Sequence, residues 1–278
     1  MNTKIAFSQK GPKHTQAESV LLLHGYAGSP MHWDQVAGRL AKKFNVIQPN
    51  LSHLYLTNEE IPFGFQVDIL ARFIKLNFPD QVLHIAGISF GAALAWGLAL
   101  KYPDLVKKII FINPMPPNPV PSFNWKGMQG FFKIPVNKQS LYYFLRTPVG
   151  RFFLNKAATM FRVERADFWH KVDDLHGQKL LFVCHVLNKF HWILKNENWN
   201  YWLTRMSQWK HSSIMLVDYQ DPLFKKSAYE KMAYEICPHA VIEIKNAGHM
   251  AIHYKGAEIA DHIESFLTHW DNSRKIAA

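Results

Sequence analysis

The chain has 278 residues, 48% of them hydrophobic and 19% charged, with a formal net charge of +11. That length suits one large domain, or one domain carrying an insertion, and the composition excludes a disordered, collagen-like or coiled-coil chain. Two cysteines, Cys184 and Cys237, are too few for a disulfide framework or a cysteine-rich zinc site, so reduced thiols and a cytoplasmic setting are expected.

Along the chain, the first sixteen residues alternate polar and apolar without the continuous apolar core of a signal peptide. Ser19–Leu23 is a short apolar run that reads as a strand, closed by His24-Gly25, and Ser29-Pro30 then starts an amphipathic helix over 31–43. The same unit recurs as a strand at 45–48 with a helix at 65–77, a strand at 82–88 with a helix at 92–101, and a strand at 107–112. Residues 83–100 are nearly long enough to cross a bilayer. Gly87, Gly91 and Gly97, with Ser89 in the middle, fit a buried strand turning into a buried helix better, so no transmembrane segment is expected.

Prolines at 114, 116, 117, 119 and 121 then mark an exit from the sheet, where fixed φ and missing donors exclude a regular helix. Beyond them the spacing predicts helices at 141–145, 151–161, 166–172 and 180–194. Strands at 213–217 and 240–244 and helices at 225–236 and 257–270 complete the pattern. Alternating strands and helices predict an α/β fold, a mostly parallel sheet with helices on both faces. Residues 1–113 and 212–278 would form its core, with 114–211 as a helical insertion. Residues 115–210 hold fourteen Lys and Arg against five Asp and Glu, which is +9 of the +11, and 19 of the 39 aromatic residues.

The chemistry-bearing residues lie where strands end. Gly87-Ile88-Ser89-Phe90-Gly91 follows a predicted strand and precedes a predicted helix, the context of a nucleophile elbow, in which side chains at the glycine positions would strike the neighbouring strand and helix. An activated serine needs a base, an orienting acid and donors for the developing oxyanion. His249 follows the strand at 240–244 in Asn246-Ala247-Gly248-His249-Met250, and Asp221 follows the strand at 213–217, with Asp218 as a competing acid. In His24-Gly25-Tyr26-Ala27-Gly28 a glycine-containing turn can aim the Tyr26 amide at the same point as the Phe90 amide. His24 reads as a brace for that loop rather than as a base, and His253 as a neighbour of His249 without the preceding glycine. No glycine-rich phosphate loop, dinucleotide fingerprint or His-Glu-x-x-His element is present, so no cofactor, metal or nucleic acid is implied.

The His-Gly turn, the Gly-x-Ser-x-Gly elbow, the acid after a late strand and the C-terminal Gly-His, in this order, resemble the α/β-hydrolase superfamily over residues 19–113 and 213–270. The insertion falls where that superfamily places a cap. The resemblance implies a Ser89, His249 and Asp221 triad with an oxyanion hole at the Tyr26 and Phe90 amides, and it favours Asp221 over Asp218. The serine in the elbow excludes relatives with an aspartate nucleophile. One departure stands beside the site: relatives often carry Asp-x-Pro-Gly-x-Gly after the strand ending near Gln48, whereas this chain has Pro49-Asn50-Leu51-Ser52-His53.

The expected function is a serine carboxylester hydrolase. Cap aromatics suggest a hydrophobic acyl group, and the basic cap suggests an anionic carrier or head group. This combination is similar to the esterases that demethylate pimeloyl-acyl carrier protein in biotin synthesis, which would make an acidic acyl carrier protein the partner. A lysophospholipase or monoacylglycerol lipase shares both features, and a non-hydrolytic lyase or a ligand-binding protein on the same fold stays open.

Overall fold

The computed structural model describes residues 5–12, 17–54, 57, 59–135, 137–160 and 178–269. In chain order, β1 (Phe7–Lys10) and β2 (Ser19–Leu23) lead through a 3-10 turn at Pro30–Trp33 into α1 (Asp34–Leu40). Then come β3 (Asn45–Pro49), α2 (Phe63–Asn77), β4 (Leu83–Ile88), α3 (Phe90–Lys101) and β5 (Val106–Ile112). A helical stretch follows: α4 (Pro119–Ser122), α5 (Lys126–Phe131), α6 (Lys138–Arg146), α7 (Pro148–Met160), α8 (Gln178–Asn196) and α9 (Trp199–Met206). The sheet resumes with β6 (Ser212–Val217), α10 (Lys226–Ile236) and β7 (Ala240–Glu243), and the described chain closes with α11 (Ala251–Tyr254) and α12 (Gly256–His269).

The strands form one sheet in the order β1-β3-β2-β4-β5-β6-β7. β1 runs antiparallel to β3 and all other pairings are parallel, the α/β architecture expected from the alternating pattern. The central strands β2 and β4 are buried at every position, because helices cover both faces. Ile85, Ile109, Phe111, Met215 and Val217 pack on one face under α2, α3 and α10, and Ala86, Ile88, Ile110, Ile112, Ile214 and Leu216 on the other under α1 and α12. Each fully buried aliphatic of this kind stabilises the fold by about 1.5–3 kcal/mol. Lys108 is a buried charge in β5. It donates to the Phe266 and Leu267 carbonyls, each at 3.3 Å, so its charge lies at the negative end of α12.

Three local expectations change. No strand was expected before Ser19, yet Phe7–Lys10 pairs with β3 from Phe7↔Pro49 to Lys10↔Val46; all four of its residues are exposed, so it carries no buried face for a pattern to register. The proline segment does hold one helical turn, α4. Pro119 and Pro121 occupy its first turn, where the missing N–H would have had no intrahelical acceptor. The helices α5, α9 and α11 are also absent from the expected pattern. The helix predicted at 166–172 lies outside the described residues.

β5 and β6 are adjacent, with Ile110 paired to Ile214, so α4 to α9 all arise between two neighbouring strands. Leu141 and Leu145 of α6 and Cys184 of α8 form a small core of their own, with Tyr142, Phe144 and Leu187 against it. No helix among the described residues is long and apolar enough to cross a membrane.

Candidate active site

Ser89 is the single residue between β4 and α3, with φ 54° and ψ −118°. For a non-glycine residue this left-handed conformation costs on the order of 1–3 kcal/mol and persists only where its surroundings hold it. Here the Ser89 N–H donates to the Ile112 carbonyl at 3.1 Å, and the Ser89 carbonyl accepts from Met115 and Ala93 at 3.0 and 3.1 Å. The flanking glycines permit the close approach. A Cβ on Gly87 would lie 2.5 Å from the Gly91 carbonyl oxygen, and one on Gly91 would lie 2.2 Å from that of Leu23.

The structure brings Ser89, His249 and Asp221 together from three strand ends. His249 Nε2 is 2.9 Å from Ser89 Oγ, and His249 Nδ1 is 2.7 Å from Asp221 Oδ2. His249 and Asp221 are both buried. Asp221 Oδ1 accepts from the Leu223 N–H at 2.6 Å and the Phe224 N–H at 3.4 Å, and Oδ2 also accepts from the Tyr229 hydroxyl. Burial first, and then the Asp221 charge, push the Tyr229 phenol well above its usual range, so it is a donor. Asp218 serves the other loop: its Oδ2 accepts from the Ala247 and Gly248 N–H groups at 2.8 and 2.7 Å, which fixes the segment that carries His249.

Three side chains that the sequence did not single out complete this frame. Asn113, fully buried with φ 38°, donates to the Gly248 carbonyl at 2.8 Å and the His249 carbonyl at 3.2 Å, and accepts from the Asp218 N–H at 2.8 Å. Asn124 donates to the Asp221 and Phe224 carbonyls at 2.5 and 2.8 Å, and Tyr229 reaches Asp221 from α10. No motif marks them; only the position of Asn113 directly after a strand gives a local signal.

The turn carrying Tyr26 lies against the elbow, since a Cβ on Gly25 would sit 3.4 Å from Ser89 Cβ. Phe90 opens α3, so its N–H belongs to the first turn, whose amides have no intrahelical partner. His24 faces away from the serine. Its Nε2 accepts from the Leu51 N–H at 3.0 Å and its Nδ1–H donates to the Gly25 carbonyl at 2.9 Å, tying the turn to the Asn50-Leu51-Ser52 loop. Desolvation holds this imidazole down at about 4, so it is neutral. His253 pairs with His32 instead, with ring centroids 4.6 Å apart.

Aromatic rings connect the two sides of the site through the helical segment. From His249 the contacts run to Phe224 at 5.7 Å, Phe123 at 5.3 Å, Phe132 at 5.3 Å, Phe190 at 5.8 Å, Tyr26 at 4.6 Å and Phe90 at 5.1 Å. Tyr26 also donates its hydroxyl to the Val186 carbonyl of α8 at 3.3 Å. An acidic oxygen, an imidazole and a hydroxyl in hydrogen-bonded series, bordered by apolar rings, can carry out acyl transfer on an apolar substrate.

Residues 18–256 match the family described as the alpha/beta hydrolase fold. A relative named as a carbamate hydrolase, RutD from Pantoea ananatis, is 26% identical over 106 residues, 37% of this chain; the match spans only 38% of that relative's length. Among solved structures, a thermophilic esterase from Thermogutta terrifontis superposes with a TM-score of 0.67 at 17% identity, over 95% of this chain and 92% of that one. A haloalkane dehalogenase, DbeA from Bradyrhizobium elkani, superposes with a TM-score of 0.64 at 20% identity, over 94% and 95% of the two chains. At these identities the likeness is one of fold.

Proposed function

The chain belongs to the alpha/beta hydrolase fold family, and from that premise we propose that it is a serine carboxylester hydrolase acting on esters of hydrophobic acyl chains. The observation that carries this reading is the unbroken hydrogen-bond series from Ser89 Oγ through His249 to Asp221, set on a backbone held at φ 54°. In this mechanism Ser89 Oγ attacks the acyl carbon as His249 Nε2 takes its proton. Asp221 keeps Nδ1–H oriented and offsets the imidazolium charge. The Tyr26 and Phe90 amides hold the oxyanion, and His249 returns the proton to the leaving alcohol. A water activated by His249 then frees the acyl group. A serine at this place distinguishes the reaction from that of relatives with an aspartate nucleophile.

The aromatic series from Phe224 to Phe90 supports a hydrophobic acyl group. For the head group, the basic segment supports an anionic presentation in a cytoplasmic setting. One form is the carrier-linked methyl ester of biotin synthesis, with acyl carrier protein as partner. The other is a lysophospholipid or monoacylglycerol met at a lipid surface, which exposed apolar side chains among the charges favour.

Ser89→Ala should abolish turnover of p-nitrophenyl esters and covalent labelling by a fluorophosphonate, with the melting temperature unchanged. Labelling that survives in the variant removes Ser89 from the role. A wild-type protein that binds these esters without turnover points to a ligand-binding protein. In the same assay, rates that rise with acyl length support the apolar subsite, and a carrier-linked methyl ester run beside them tests the biotin-type substrate.

A further inference from the structure

The outer surface of α6, α7 and the loop before them is cationic and apolar at once. Lys133, Lys138, Arg146, Arg151 and Lys156 are all exposed. The sequence has no Asp or Glu between Asp104 and Glu164, and none of these five side chains pairs with a carboxylate of the described residues. Among the charges stand Ile134, Tyr143, Val149 and Phe152, exposed by 54, 62, 58 and 62%. One exposed apolar side chain is ordinary, but four so close in sequence, interspersed with cations, call for a partner. Val149, Phe152 and Lys156 are spaced three and four residues apart and share one face of α7. On α6 the Arg146 guanidinium lies 5.6 Å over the Tyr142 ring. The inner side of this layer packs through Leu141 and Leu145 on Cys184 and Leu187 of α8. That same helix touches Tyr26 through Val186 and Phe190.

We propose that this face docks on an anionic lipid bilayer. Its cations pair with lipid phosphates while Ile134, Tyr143, Val149 and Phe152 enter the interface. Charge complementarity alone fits an acidic protein equally well. Half-exposed phenyl and aliphatic groups interspersed with the charges fit a surface that is anionic outside and apolar a few ångström below. The inference deepens the proposed function by supplying a source of hydrophobic esters one helix layer from Ser89. Docking itself is read without turnover, so it stands or falls separately.

The test is sedimentation of full-length Ser89→Ala, which cannot consume the lipid, with vesicles of phosphatidylcholine alone and of phosphatidylcholine mixed with phosphatidylglycerol. Binding is expected to the mixed vesicles, to be much weaker with phosphatidylcholine alone, and to fall at about 1 M salt, where the Debye length is ~3 Å. Arg146→Glu and Arg151→Glu should each weaken partitioning about fivefold or more, and Phe152→Ser about tenfold. In the otherwise wild-type enzyme, these three substitutions should leave kcat/KM for a soluble p-nitrophenyl ester unchanged, which shows the fold intact. Equal binding to both vesicles, indifference to all three substitutions, or an Arg146-dependent complex with acyl carrier protein and no vesicle binding would overturn the proposal. Vesicle binding by a protein whose wild type hydrolyses no ester would leave the docking face standing and remove the hydrolase reading.

Discussion

At Asp221, donors converge on both carboxylate oxygens, and Oδ2 is shared between His249 Nδ1 and the Tyr229 hydroxyl. A second donor on that oxygen stabilises the carboxylate and weakens its hold on the imidazolium. Removing it with Tyr229→Phe should therefore move the acidic limb of kcat/KM to higher pH. A packing defect alone would lower the melting temperature and leave that limb in place, and such a result would exclude a positioning role for Tyr229. The two acids should also separate cleanly. Asp221→Asn leaves the imidazole with the wrong tautomer partner and should lower kcat by a factor on the order of 10⁴. Asp218→Asn keeps Asp221 but loses charge-assisted bonds to Ala247 and Gly248, each worth about 1.5–3 kcal/mol, so it should lower stability more than chemistry. Thermal melts and single-turnover rates on both variants decide the ranking, and the reverse order would move the acid to Asp218.

Among the elements, glycines of opposite character test the packing argument. Gly91→Ala would place a methyl 2.2 Å from the Leu23 carbonyl oxygen, an atom of backbone that cannot move aside. It should destabilise by about 3 kcal/mol or more, lowering Tm by roughly 6–12 °C. Gly38, exposed within α1, has nothing within 4 Å of its ideal Cβ, so Gly38→Ala should raise stability by up to about 1 kcal/mol. Calorimetric melts of both variants check the pair. The elements most legible in the sequence are those whose burial is one-dimensional: β2 and β4 read as continuous apolar runs because both faces are covered. β1 is exposed throughout, so the polar-apolar alternation around it marks no buried face, and α4 was obscured by prolines that tolerate only a first turn. Ser89, Asp221 and His249 stood out because each follows a strand. Asn113 and Tyr229 did not, because their bonds join segments far apart in the chain and amide or phenol side chains there imply no period or motif.

For the whole molecule, the histidines set an acid limit. Desolvation lowers the pKa values of His24, His32, His84, His191, His211 and His253. Each is neutral in the fold, while the unfolded chain takes up protons below about 6.5. Their contribution is fully present above pH 6.5 and is lost as pH falls, for His24 down to about 4, where the shift alone is worth on the order of 3 kcal/mol. Tm should drop steadily from pH 6.5 to 4, with protons taken up on unfolding; a flat Tm between pH 7 and 5 would contradict this. Asn113 has a different consequence at this scale. Because one buried amide clasps the ends of β5 and β6 to the loop bearing His249, these segments share a single opening event. The Asp218, Ala247 and Gly248 amides should exchange with deuterium only through global unfolding, while α6, resting with α8 on a small cluster of its own, exchanges through local excursions. The groups that frame His249 and the helices of that small cluster then open as separate units.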